Sequence, residues 1–213
     1  MDHAIPNLVG LNIRTLRPMA RIVILFVVIA ALMIAATRDT SMAWTFVLML
    51  PLVLALRIMP NEGNTAVTRL FGTLPVTRDQ TVVAQFITMG LLCLIAVVLP
   101  LPLGAIGRSP LPIEVSALMG GALGAALALT LAITAPFAYH GGFGPFAMYA
   151  PMMVFAAGAA VVVAVGNVDA LPRVLDTVMR HAWPTAALLV IGGVVALTIS
   201  CLISCRVFAR RDL

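Results

Sequence analysis

Lysine is absent from this chain, and all thirteen basic side chains are arginine. Charge of either sign is scarce. Charged residues make up 10% of the sequence and hydrophobic residues 62%, a balance that a water-exposed domain does not sustain. No polar stretch is long enough to bury a core of its own, so the sequence predicts a single integral membrane domain, residues 1–213. Cysteine is also scarce. Cys93 falls mid-membrane, while Cys201 and Cys205 share one face of the last span. An odd count and burial in lipid argue against disulfides and for packing. There is no Gly-rich phosphate loop followed by Lys-Ser/Thr, which excludes that mode of ATP binding. There is no His-Glu-x-x-His pair and no Gly-x-Ser-x-Gly elbow, so hydrolysis within the membrane has no visible metal site or nucleophile. His140 and His181 fall beside loops. No Asp, Glu, Lys, Arg or His lies near the middle of any predicted span, which argues against a proton- or ion-coupled carrier.

What is present is apolar length. A spanning helix needs ~20 mostly apolar residues, and six segments qualify: Ile22–Thr37, Ala43–Met59, Thr81–Ile106, Ile113–Ala138, Phe146–Val165 and Pro184–Cys205. The expected fold is therefore all-α, with six transmembrane helices. With the N-terminus inside, nine arginines (14, 17, 21, 57, 69, 78, 206, 210 and 211) lie on the cytoplasmic side and four (38, 108, 173 and 180) outside. That asymmetry predicts cytoplasmic termini, with residues 206–213 as a cytoplasmic tail. Trp44 and Trp183 then sit at outer helix ends, where indoles favour the interface. The basic balance reflects this inner rim. A nucleic-acid surface would need Arg on a soluble face with stacking aromatics, and none is evident.

Arg14, Arg17 and Arg21 precede an apolar run, but no small-x-small cleavage site follows, so an uncleaved start is expected. Val9, Ile13, Leu16 and Ala20 lie on one helical face and the three arginines on another. Residues 1–20 thus read as an interfacial helix before Pro18 starts or kinks the first span, or as an ordinary basic flank.

The most informative interval runs from Asn61 to Phe86. Val67, Leu70, Phe71 and Leu74 recur at i, i+3, i+4, i+7 and line one face of a short amphipathic helix. Asn64 can cap it, and Pro75 stops it because proline has no N–H to donate. Thr77-Arg78-Asp79-Gln80 then reads as a capping box opening the third span. A compact helix held outside the bilayer between two spans is suited to presentation to a soluble partner.

Small residues mark helix contacts. Gly120 and Gly124 form a Gly-x-x-x-Gly pair beside Gly121 in the fourth span, and residues 156–160 of the fifth are alanine or glycine. Close packing of spans four and five is the expectation, ahead of a subunit interface. Leu171, Val174, Leu175 and Val178 recur at helical spacing, with Arg173–Asp176 and Asp176–Arg180 as possible pairs, which predicts a short outer interfacial helix.

Three places resemble the permeases of the ATP-binding-cassette type 2 family, in particular the small six-span branch similar to phenol-soluble-modulin exporter permeases. The first is Glu62 and Asn64, then the helix, then Leu74-Pro75-Val76-Thr77-Arg78, similar to that family's Leu-Pro-Val-Ser/Thr-Arg pattern. The second is Pro136-Phe137-Ala138-Tyr139 with Gly141 and Gly144, similar to its Pro-x-x-Tyr-x-x-Gly turn, though without a basic residue after Tyr139. The third is the tail Ser200…Ser204-Cys205-Arg206-Val207-Phe208-Ala209-Arg210-Arg211-Asp212-Leu213, similar to the family's Arg/Lys-rich ending after the last span. The resemblance implies that residues 61–80 form a coupling-helix loop between helices 2 and 3, docked on a separate ATP-binding-cassette ATPase through Glu62, Val67, Leu70, Phe71, Leu74, Pro75 and Arg78. It implies a pair of permeases, a homodimer being expected, with ATP and Mg held by the ATPase and no cofactor on this chain. The function so implied is ATP-driven export of a hydrophobic or amphipathic peptide, lipid or drug across a bacterial cytoplasmic membrane, with no enzyme activity in the permease. Two other classes stand beside it: a membrane assembly or immunity protein that transports nothing, and a passive channel or carrier for apolar solutes.

Overall fold

The computed structural model describes residues 4–19, 77–105, 112–141 and 171–209, with helical residues at 21, 23–25, 28–29, 32, 50–51 and 53–55. The described chain is helical throughout. The elements are α1 (Ala4–Thr15), a 3₁₀ turn (Arg17–Met19), α2 (Arg78–Val98), α3 (Pro100–Ala105), α4 (Ile113–Gly141), α5 (Leu171–Arg180) and α6 (Ala182–Ala209). Among the described residues three stretches are long and apolar enough to cross a membrane: Asp79–Pro102, Ile113–Tyr139 and Ala182–Ala209. They fall on the third, fourth and sixth segments expected from sequence. The fifth, and the coupling-helix loop, lie outside the described residues, and too little of the first two is described to delimit them.

Local chemistry sets the ends of these helices. Thr77 accepts a hydrogen bond from the Gln80 backbone N–H at 3.3 Å, and the Gln80 side chain accepts one from the Thr77 N–H at 3.1 Å. The expected capping box is therefore formed, and it satisfies two donors at the start of α2. Glu114 stands in the first turn of α4 and Arg206 in the last turn of α6, each of the sign that complements the helix dipole. Pro184 falls in the first turn of α6, where an N–H has no helical acceptor to lose. Arg180 pairs with Asp176 at 2.7 Å on α5, as the spacing predicted.

Two directions of packing organise the bundle. α2 runs antiparallel to α4, with Val97 against Gly120 and Gly124 near one end and Gln85 against Tyr139 near the other. α4 and α6 run parallel: Gly121 meets Ala186, Gly193 meets Ala125 and Ala128, and Ser200 meets Ala132. Gly141 and Ala182 consequently stand at opposite ends of the bundle, the placement that a crossing between them requires. The Gly-x-x-x-Gly face thus packs within the chain on α2, and the expected contact with the fifth span lies outside the described residues. An added Cβ on Gly120 would strike the Val97 carbonyl oxygen, and one on Gly121 would lie 3.0 Å from the Ala186 backbone. Glycine is what lets these backbones approach.

That contact gives a test of sign. Gly120→Ala should destabilise the bundle by about 1–3 kcal/mol, because the obstructing atom belongs to backbone. Gly192→Ala, where an added Cβ meets nothing within 4 Å, should be neutral or mildly stabilising through helix propensity. Thermal melting of both variants in detergent separates the two effects.

α1 lies against α2. Leu8 and Asn12 are its buried residues, and the Asn12 amide donates to Thr88 Oγ1 at 3.4 Å. Thr88 in turn donates to the Ala84 carbonyl at 2.8 Å. Leu16 packs on the core, whereas Ile13 is 51% exposed. The face turned inward is therefore Leu8–Asn12–Leu16, which keeps Leu16 of the expected stripe Val9, Ile13, Leu16 and Ala20 and leaves Ile13 outside.

Candidate functional site

A buried node joins α2, α4 and α6 at the end of the bundle where α2 begins. It starts from a proline. Pro136 lies inside α4 and has no N–H for the carbonyl four residues earlier, that of Ala132. A freed carbonyl in an apolar span needs another donor. Ser200 supplies it from α6, its Oγ donating to the Ala132 oxygen at 2.7 Å. Upstream, Thr130 and Thr134 donate to carbonyls of their own helix at 2.8 and 2.9 Å, which hides their hydroxyls where no water is available.

One turn beyond Pro136, Tyr139 is 2% exposed. Its hydroxyl donates to Gln85 Oε1 on α2. Its ring lies 6.5 Å from Phe86 at 17° and 5.6 Å from Phe208 of α6, edge-on at 61°. Such ring pairs add stabilisation beyond the area they bury. Cys201, Cys205 and Val207 pack against the same cluster, and the cysteines are free thiols. Ser204 is fully buried, and its Oγ has no hydrogen-bond partner among the described residues. Among the described residues no group of three or more His, Cys, Asp or Glu side chains could hold a metal.

Gln85 and Phe86 lie two turns into α2, whose first turn the capping box fixes. A chain of contacts thus links the capped start of α2, through Gln85 and Phe86, to Tyr139 of α4 and Phe208 of α6. Of the residues expected to dock a partner, Glu62, Val67, Leu70, Phe71, Leu74 and Pro75 lie outside the described residues, and Arg78 is the first residue of α2. The structure brings Pro136 and Tyr139 of the Pro-x-x-Tyr segment together with Gln85, Phe86, Ser200 and Phe208. Of the latter four, Ser200 and Phe208 appeared in sequence only as members of the tail motif and Phe86 as the end of an interval, and Gln85 was not singled out. The available signal was Gln85, a lone amide within an apolar run that lies where water cannot solvate it.

Among known protein families, the one described as ABC-2 family transporter protein matches residues 7–209. No curated protein and no solved structure matches the chain.

Proposed function

The chain belongs to the ABC-2 family of transporter proteins, a multi-pass membrane subunit that works with an ATP-binding-cassette ATPase, and from that premise we propose that it is an ATP-driven exporter permease. In this reading residues 61–80 form the coupling-helix loop, and Val67, Leu70, Phe71 and Leu74 seat in a groove of the ATPase. Glu62, Pro75 and Arg78 flank that contact. Two permease copies, as a homodimer, alternate access for a hydrophobic or amphipathic peptide, lipid or drug. ATP and Mg reside on the ATPase.

The observation that supports the reading most is the position of the buried node. The loop ends at Thr77, the capping box begins α2 there, and Gln85, two turns on, is bonded to Tyr139 at the end of α4. Force applied to the loop is transmitted along a rigid helix into two further spans. An ATP-driven carrier suits a chain whose described spans carry Asp79, Glu114 and Arg206 only in their terminal turns and no such charge near their middles to couple a proton gradient.

Reconstitution tests the reading. The permease alone in vesicles should neither hydrolyse ATP nor accumulate a lipophilic dye under a pH gradient, and addition of its ATPase should confer ATP-dependent transport. Proton-driven accumulation by the permease alone overturns the proposal, and equilibration without ATP marks a passive channel. The proposed six-span topology in a bacterial cytoplasmic membrane, with both termini inside, makes a separate prediction. Single cysteines placed near Arg38, Arg108 and Asp176 should react with an impermeant reagent from outside, and those near Arg69 and Arg211 should not. The reverse pattern would exclude this orientation.

A further inference from the structure

At the elbow between α1 and the first apolar segment, Arg14, Arg17, Pro18 and Arg21 line a cavity of about 680 Å³. The sequence spacing puts the three arginines on the side of the helix opposite Leu8, Asn12 and Leu16, the residues seated on α2 and the core. The elbow is thereby held in place: Asn12 is bonded to Thr88, Thr15 Oγ1 donates to the Asn12 carbonyl at 2.6 Å, and the Met19 N–H bonds the Leu16 carbonyl at 2.9 Å. Among the described residues no carboxylate forms an ion pair with any of the three. Three exposed guanidiniums around one open groove offer a single anion several donors at once.

Below the arginines the same stripe turns apolar. Ile24, Leu25 and Val28 continue the helical face of Arg21 and are 61%, 55% and 47% exposed. By helical spacing, an open cationic groove is thus followed along the chain by an exposed apolar strip of the kind lipid covers. We propose that this elbow is a binding site for an anionic phospholipid, with its phosphate among Arg14, Arg17 and Arg21 and an acyl chain along Ile24, Leu25 and Val28. Guanidinium forks bond phosphate oxygens in a bidentate manner, which a lysine cannot reproduce. The apolar strip is what selects a lipid over free phosphate, since a lone ion gains nothing from it. The site requires only that the chain sit in a bilayer, and it stands whether or not residues 61–80 dock an ATPase.

Native mass spectrometry of the full chain in detergent tests this with dioleoyl phosphatidylglycerol, dioleoyl phosphatidylcholine and inorganic phosphate as probes. One phosphatidylglycerol per chain should bind at least about tenfold more tightly than phosphatidylcholine, and inorganic phosphate at equal concentration should not displace it. Arg17→Gln and Arg21→Gln should each weaken that binding about tenfold, and Arg17→Lys should weaken it several-fold although charge is kept. Arg206→Gln, at the far end of the chain, should leave it unchanged, and circular dichroism confirms equal helicity. Full binding by Arg17→Lys would reduce the elbow to an ordinary basic flank and overturn the site. Displacement by inorganic phosphate, or equal affinity for phosphatidylcholine, would also overturn it.

Discussion

Tyr139→Ala should unfold the end of the bundle and abolish ATPase-coupled transport, at a cost of about 3–5 kcal/mol in stability. The side chain is among the largest fully buried ones, and its removal leaves a cavity bordered by Phe86 and Phe208 from two other helices. It also withdraws the donor that Gln85 Oε1 now receives. Two milder variants separate packing from polar bonding. Tyr139→Phe keeps the ring and both aromatic contacts and loses only the hydroxyl. Ser200→Ala leaves the Ala132 carbonyl, freed by Pro136, without its donor. Interhelical polar bonds in bilayers contribute ~0.6–2 kcal/mol, so each should lower stability by about that much. All three are read by unfolding in mixed detergent, with substrate-stimulated ATP hydrolysis of the permease–ATPase complex measured alongside. If the node transmits force, Tyr139→Phe should lower stimulation well beyond its small loss of stability. Unchanged stimulation would make Tyr139 a packing residue only.

Much of the fold was legible because membrane spans are local. Apolar length and caps placed the third, fourth and sixth segments within four residues of the spans Asp79–Pro102, Ile113–Tyr139 and Ala182–Ala209. The Thr77–Gln80 box was readable because both of its bonds lie within one turn. Partner choice was not. A Gly-x-x-x-Gly pair declares that some backbone comes close, not which one, and the sequence pointed to the fifth span without singling out the third. Gly120 chose Val97 because α2 crosses α4 there, a relation set by the whole bundle. The node was hidden for the same reason. Ser200 serves a carbonyl 68 positions away, and Gln85 finds Tyr139 across 54. Pro136 and Tyr139 were visible as a motif, yet their roles depend on residues no local pattern links to them. On α1, polar Asn12 turns inward with a hydrogen bond to Thr88 across 76 positions, a contact that no local pattern announces, while Leu16 of the expected apolar stripe packs on the core and Ile13 stays exposed.

Phe71→Ala should release the ATPase. In the proposed coupling helix, Val67, Leu70, Phe71 and Leu74 share one face, and Phe71 is its only aromatic residue. Aromatic anchors in a desolvated groove typically carry ~2 kcal/mol or more of binding, so the expected loss is roughly thirtyfold in affinity. Thr68 falls off that apolar face, and Thr68→Ala should change little. Arg78→Ala should weaken coupling less than Phe71→Ala, because a charge at the rim is screened and contributes modestly. Each variant is inserted in membranes at matched expression, the ATPase is recovered by pull-down, and substrate-stimulated hydrolysis is measured. The capped start of α2 gives the experiment its second readout. A helix that only rests on the bilayer would leave both pull-down and stimulation intact in Phe71→Ala. A docking helix loses both together, because the same contact that holds the ATPase drives Thr77 and, through Gln85, Tyr139. Retention of full binding and full stimulation by Phe71→Ala would therefore remove residues 61–80 as the point of coupling.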